Sequence, residues 1–316
     1  MELEQQSKME PDKIVVIKRH TPLEELLVRH STTSQARFYL ESSGHSYESY
    51  ENGHKAYREG LRRTLSSIPS KLRTQTVDKQ ELATFQFGNK DLIVVVGDDG
   101  LLVNVAKYVG AQPIISVNPD EERFDGVLSS CSASYFPQTL KKVLEDKAEM
   151  QLLTMAEARL DDGQIIRALN DLFVGRKTHV SARYELSYKN IKEKQSSSGI
   201  IISTGTGSTG WMTSIVRGAQ AITGDQINVE KSVPFAKDSN YLLFAVREPF
   251  PSKITGTGLV YDKITRNNPL IVKSEMPADG VIFGDGIEND YLEFNSGRTA
   301  TIQPSENKIY LVKKDV

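Results

Sequence analysis

Leu92-Ile93-Val94-Val95-Val96-Gly97-Asp98-Asp99-Gly100 decides the architecture: a continuous apolar run ends in a short turn of two glycines and two carboxylates. An uninterrupted run rich in β-branched residues suits a strand buried on both faces, as in a parallel sheet. Downstream, Val103, Ala106 and Val109 recur at helical spacing, and residues 113–117 give the next strand. Strand, loop, helix and strand in that order predict a parallel, Rossmann-like sheet. Upstream, residues 13–17 (KIVVI) read as a first strand, and Thr21 with Glu24 has the spacing of a capping box. A longer helical stripe follows, made of Tyr47, Tyr50, His54, Tyr57, Leu61, Leu65 and Ile68 and ending at Pro69.

After Asn118 the texture changes. Phe136, Leu140, Val143, Leu144 and Ala148 outline one amphipathic helix, after which strand-like runs dominate at residues 168–174, 180–188, 199–203, 241–246, 270–273 and 280–283. Residues 218–238 read as a long polar excursion. The expected organisation is a disordered leader at 1–12, an α/β domain at 13–147 and a β-rich domain at 148–299.

A chain of 316 residues can bury a substantial core and favours two domains. With a formal net charge of -2 and no basic stripe interleaved with aromatics, nucleic acid is disfavoured as a partner and a small solute preferred. The single cysteine, Cys131, excludes an internal disulfide and a cysteine-based metal cluster, which leaves it a packing role. The first residues lack an apolar signal core and no apolar run reaches membrane length, so the expectation is a cytoplasmic protein without a membrane partner.

Four constellations could carry chemistry. Residues 203–211, STGTGSTGW, follow Ile200-Ile201-Ile202 and hold three glycines and five hydroxyl side chains, a composition able to grip an anionic or hydroxylated ligand. A solvated Ser/Thr/Gly turn has the same composition. Trp211, the sole tryptophan, adds a ring able to cover a base or a nicotinamide. The GDDG turn stands at the carboxyl end of a strand, where open α/β sheets bind ligands; its carboxylates could take a proton or hold a metal, or an Asp there could simply cap the next helix. Leu169-Asn170-Asp171 could bind ribose hydroxyls or be a strand-end turn, and Gly284-Asp285-Gly286 has a hairpin signal without the alternating acids of a calcium loop.

Taken in order, GDDG, then VNPDEERFDGVL (117–128), ALND (168–171), STGTGSTGW and GDG resemble the NAD kinase family, whose order is a GGDGT loop, an NE/D motif, a TPTGSTAY loop and a late DG turn. RALNDLFVG (167–175), SARYELSY (181–188), KQSSSG (194–199), VREP (246–249) and FNSG (294–297) are similar to segments of the mitochondrial-type branch, so the likeness spans nearly the whole chain. The resemblance implies a Rossmann-like N-terminal domain, a β-rich C-terminal domain, an active site between them and a tail, residues 300–316, that returns to the first domain. It makes Asp99 the general base, with Gly97, Asp98, Gly100 and Leu101 as the phosphate loop. It gives Asn170, Asp171, Thr206, Gly207, Ser208, Thr209, Trp211 and Asp285 to NAD. ATP and Mg²⁺ are the implied cofactors, the metal arriving with ATP and having no fixed protein ligand unless Asp98 serves. A homodimer or higher homo-oligomer is also implied.

Two departures touch the phosphate loop: Asp98 stands where the family has glycine and Leu101 where it has threonine. A carboxylate there repels phosphate unless a cation lies between them, and leucine offers no hydroxyl. Ser198 replaces an Asp common in the family, though the mitochondrial-type branch also has serines there. Beside an NAD kinase stand two alternatives, a nucleotide-binding protein of this fold with weak or no transfer and a sugar or lipid kinase of this fold.

Overall fold

The apolar runs of the first half pair edge to edge. In the computed structural model, which describes residues 9–224 and 233–314, β1 (Ile14–Lys18), β2 (Thr74–Asp78), β3 (Leu92–Val96) and β4 (Pro113–Asn118) form a parallel sheet in the order β2-β1-β3-β4, and β5 (Cys131–Ser132) lies beside β4. Every side chain of β3 is fully buried, which is why its sequence does not alternate. Around the sheet run α1 (Pro22–His30), α2 (Thr33–Ser42), α3 (Tyr47–Ser66), α4 (Asp99–Ala106) and α5 (Phe136–Leu144). The capping box of Thr21 and Glu24 closes the start of α1, and the aromatic stripe is α3, whose Tyr57 and Leu61 pack with β3, Phe136 and Leu140. Burying side chains of this size contributes about 1.5–3 kcal/mol each before entropy is counted. Buried Cys131 belongs to the same core.

The chain divides into two units, Met1–Gln151 with Ile309–Val316, and Leu152–Lys308. In the second unit, strands β6 (Met150–Leu160), β7 (Ile165–Ala168), β8 (Asp171–Arg176), β9 (Ala182–Tyr188), β10 (Ile191–Ser197), β11 (Ile200–Ser203), β12 (Leu242–Val246), β13 (Tyr261–Ile264), β14 (Leu270–Ser274), β15 (Gly280–Gly284), β16 (Tyr291–Glu293) and the part of β17 (Thr299–Val312) before Ile309 build two sheets. One runs β10-β9-β14-β17 with β6 and β7 beyond, and the other β13-β12-β11-β8-β15-β16, antiparallel throughout. Leu172, Val174, Ile200, Ile202 and Phe244 from one sheet meet Tyr184, Leu186, Val272 and Ile302 from the other. Alternate residues Phe173, Ile201, Leu243 and Ala245 face outward, where α6 (Trp211–Thr223) covers them through Met212 and Val216. Period-two alternation thus sends one set of β8 side chains to the core and the other toward the ligand loops.

Several boundaries differ from the sequence reading. Residues 1–8 of the expected leader lie outside the described residues, but Met9 packs on the first core and the Asp12 amide donates to Lys90 O at 3.2 Å, so order begins before residue 13. Residues 299–302 pair with β14, which keeps them in the second unit, and the chain rejoins the first at Ile309, where Tyr310 and Leu311 pair with Pro113 and Ile114. The expected excursion at 218–238 starts as helix, since α6 runs to Thr223 and ends on Gly224 in the left-handed region. Residues 225–232 lie outside the described residues.

Candidate functional site

The first unit supplies the GDDG turn. Tyr57 fixes where it starts: its hydroxyl donates to Val96 O at 3.1 Å and accepts from the Arg19 amide at 2.9 Å, which ties the ends of β1 and β3 to α3. Burial pushes the Tyr57 phenol up to about 12, against the bond from Arg19. Gly97 then leaves room for Leu101, whose Cδ2 would lie 2.8 Å from an added Cβ.

Asp98 caps α4, its Oδ1 accepting from the Leu101 amide at 3.0 Å, while its Oδ2 pairs with Arg19 Nη2 at 3.0 Å. The extra carboxylate, which by sequence needed an outside cation, is neutralised within the chain by an arginine 79 residues upstream. The guanidinium lies 5.3 Å from the Tyr57 ring centre and also donates to His20 O at 3.1 Å. Leu101 is 1% exposed, so its position is a core position.

Asp99 is the first residue of α4. Two amides of the loop after β4 are aimed at its carboxylate: Val127 N donates to Oδ2 at 3.0 Å and Leu128 N to Oδ1 at 3.1 Å. The loop is closed by its own bonds, Asn118 Nδ2 to Phe124 O at 2.8 Å and the Asp120 amide to Asn118 Oδ1 at 3.0 Å. Asp99 is only partly buried and stays open to a reactant.

The second unit ties three distant stretches into one knot. Thr204 Oγ1 accepts from the amides of Thr206 (3.1 Å) and Gly207 (3.2 Å) and donates to Leu169 O at 2.5 Å, and the Thr204 amide donates to Asn170 O at 2.9 Å. Gly207 packs against the Asn170 carbonyl, leaving no space for a side chain. Ser208 Oγ donates to Gly205 O at 2.7 Å and accepts from the Phe235 amide at 3.2 Å. Asp285, at φ 58°, sits under the start of β8: its carboxylate accepts from the amides of Leu169 (3.1 Å) and Asn170 (2.7 Å), and its own amide donates to Asp171 O at 2.9 Å. Its oxygens therefore point into the backbone of the loop.

Two polar atoms in this knot are buried without a partner, Asp171 Oδ1 and Thr206 Oγ1. Burial pushes the Asp171 carboxyl up to about 7; the Ser203 hydroxyl opposes that shift and the nearby Asp285 charge adds to it. Unpartnered buried polar atoms are costly and suit a ligand that completes them. Asn170 is beside them, Thr209 is exposed, and Trp211 begins α6, stacked on Phe173 at 6.2 Å between centroids and 7° between planes. Trp211 also edges a cavity of about 640 Å³ that continues past Arg247 and Lys177.

Among the described residues no three His, Cys, Asp or Glu side chains converge as a metal site. Both oxygens of Asp98 and both of Asp99 already accept bonds, so this donor set suits a magnesium ion held by substrate phosphates and water.

No family model matches the chain. It is 24% identical over 318 residues to the mitochondrial NAD kinase 2 of Homo sapiens, covering 77% of this chain and 72% of that protein. The NAD kinase of Citrifermentans bemidjiense is 28% identical over 159 residues, or 46% of this chain and 52% of that one. Among solved structures, yeast NADH kinase complexed with NADH superposes with a TM-score of 0.59 at 14% identity over 97% of this chain and 84% of that one. The NAD kinase of Archaeoglobus fulgidus in complex with ATP gives 0.56 at 17%, over 96% and 94%. The fold is that of the NAD kinases. The two-unit α/β and β arrangement expected from the sequence is the one observed.

The cytoplasmic expectation is overturned by these relatives, since the human and rat proteins are both mitochondrial. An apolar core is the mark of secretory signals, whereas organelle transit segments are amphipathic, so that criterion does not bear on mitochondrial targeting. No helix among the described residues is long and apolar enough to cross a membrane. Sequence reading missed Arg19, Tyr57 and Lys177: Tyr57 was visible as a core stripe position, while Arg19 and Lys177 carry no local signal and gain meaning from residues far along the chain.

Proposed function

We propose that this chain is an ATP-dependent kinase that phosphorylates the adenosine-ribose 2'-hydroxyl of NAD(H). The observation that carries the reading is the knot at 169–171, 204–209 and 285, with its two unpartnered buried atoms, Asp171 Oδ1 and Thr206 Oγ1, at a spot suited to ribose hydroxyls. Asn170 and Asp171 bind the ribose, Trp211 covers an adjoining ring, and Asp285 holds the loop backbone in the gripping shape. Asp99 accepts the 2'-hydroxyl proton while that oxygen bonds to the γ-phosphorus of ATP; the bond from that phosphorus to the β-γ bridging oxygen breaks and ADP leaves. Amides at the start of α4 face the donor phosphates. Magnesium arrives with ATP and supplies charge neutralisation on the phosphates. A homo-oligomer is part of the proposal, to be read by light scattering.

The relatives named above are NAD kinases, which disfavours the sugar or lipid kinase alternative. Neutralisation of Asp98 by Arg19 removes the electrostatic objection behind the non-transferring alternative. Incubating the purified chain with dinucleotide, ATP and MgCl₂ and quantifying the 2'-phosphorylated product chromatographically is the test. Tight dinucleotide binding with no product at any ATP concentration would return the chain to the binding-protein alternative.

A further inference from the structure

The cavity beyond Trp211 has a charge pattern that the transfer reaction does not need. Its walls are aromatic, with Phe173, Trp211 and Tyr291, and three cations line it: Arg176, Lys177 and Arg247. Among the described residues Glu288 is the one carboxylate in the lining. Arg176 is drawn to Asp279 at 3.3 Å and Arg247 to Glu248 at 3.8 Å. Lys177 has no carboxylate at ion-pair distance among the described residues, and its ammonium instead lies 3.5 Å from the centre of the Tyr291 ring. An aromatic face attracts a cation without cancelling its charge as a carboxylate would, so Lys177 is the lining cation whose charge is left uncompensated at that end of the cavity.

Strand β8 measures the reach of the site. Asp171 opens it and Lys177 follows its last residue, six positions on, a span of roughly 20 Å at the rise of an extended strand. That span suits a dinucleotide whose adenosine ribose is at Asp171 and whose other end lies toward Lys177. Its volume of about 640 Å³ is in the range of sites that enclose one nucleotide-sized group.

The oxidised and reduced dinucleotides differ in that end group. The nicotinamide ring carries one positive charge in NAD and none in NADH, while the pyrophosphate is the same in both. Cations near the pyrophosphate help both forms equally; cations near the ring penalise only the oxidised one. Building on the kinase reading above, we propose that this cavity receives the nicotinamide half of the acceptor, and that Lys177, supported by Arg176 and Arg247, makes the chain select NADH over NAD.

The test uses the full chain and compares kcat/KM for NADH and NAD at saturating ATP and Mg²⁺, with calorimetric affinities for NADH, NAD and ADP-ribose alongside. The wild type is expected to favour NADH by about tenfold, and Lys177→Gln to cut that preference by about three- to tenfold, the effect of one charge pair at roughly 8 Å in a dielectric between protein surface and water. Lys177→Glu should go further and favour NAD. ADP-ribose, which lacks the ring, reports the pyrophosphate share alone and should weaken by one common factor in each variant. Lys177 is exposed, so both variants should keep the wild-type melting temperature. A wild-type ratio near one, or a ratio unmoved by both Lys177 variants, overturns the inference and leaves the kinase reading intact. If transfer is absent, the kinase reading fails and the calorimetric NADH-to-NAD ratio still decides this inference; binding of neither dinucleotide overturns both.

Discussion

Restoring the family's phosphate loop should separate its two departures, because the structure gives them unlike jobs. Asp98→Gly removes a helix cap, for which glycine is a fair substitute at a cost of a few tenths of a kcal/mol. It also breaks the Arg19 pair, whose side chains are 17% and 32% exposed, for roughly 1 kcal/mol more. In return one negative charge leaves the loop and a guanidinium is freed beside it, so ATP affinity should rise about three- to tenfold. Leu101→Thr acts in the core: it deletes buried carbon from a site 1% exposed and buries a hydroxyl, costing about 2–4 kcal/mol with no gain in rate. Urea unfolding of the single and double variants, with initial rates against ATP concentration, reads both effects. A Leu101→Thr variant within 0.5 kcal/mol of wild type by the usual surface criterion would refute the core argument. An Asp98→Gly variant needing more Mg²⁺ and binding ATP less tightly would show that Asp98 serves the metal.

Asp99→Asn should lower turnover by ~10²–10⁴-fold and, because an amide NH₂ must face the amide of Val127 or Leu128, cost about 1–3 kcal/mol of stability; near-normal single-turnover rates would remove Asp99 from the base role. Asp171 binds its proton more tightly folded than unfolded, with a folded value of about 7, so stability should fall as pH rises from about 4 to 7, by up to ~1.4 kcal/mol per unit, and Asp171→Asn should flatten that slope. Since ribose hydroxyls donate to the carboxylate, dinucleotide affinity should rise with pH through the same region in the wild type and not in the variant. Tyr57→Phe leaves the Arg19 amide and Val96 carbonyl without their shared partner, and denaturant titration should show a loss of about 1–3 kcal/mol. Titrating dinucleotide should change Trp211 emission, and an unresponsive signal would make Trp211 a packing residue of α6.

What the sequence made legible was local. The buried run of β3, the stripe of α3 and the Thr21–Glu24 cap are set by neighbours within a few residues, and all three are present. Helix α2 escaped because only Ala36 and Leu40 of its ten residues are buried, with Phe38 and Tyr39 turned outward. Helix α6 was not read from the sequence, which showed a loop up to Trp211 and a polar stretch from Gly218, because its Met212 and Val216 are held by contacts with the outer face of a sheet built from distant strands. The motifs gave residues, but not their orientation. Asp98 read equally well as a cap or a metal ligand, and Arg19, far upstream, decided for the cap. Asp285 read as a hairpin turn, and it is one; that its carboxylate reaches back to residues 169 and 170 depends on the pairing of β15 with β8.

That reach sets the order in which binding competence can arise. Asp285 and the amides it holds lie 115 and 116 residues apart, so closing the loop between them costs entropy that only the paired β8 and β15 recover. A nascent chain that has emitted residues 167–211 holds the side chains proposed to bind the ribose and cover the adjoining ring and still lacks the staple that shapes their backbone. Truncation before β15, or loosening of that hairpin by mild denaturant, should therefore abolish dinucleotide binding while the parallel sheet around Asp99 still gives its own protection from hydrogen exchange. A lesion at the 284–286 turn would then mimic an active-site defect in a ligand assay although it touches no ligand.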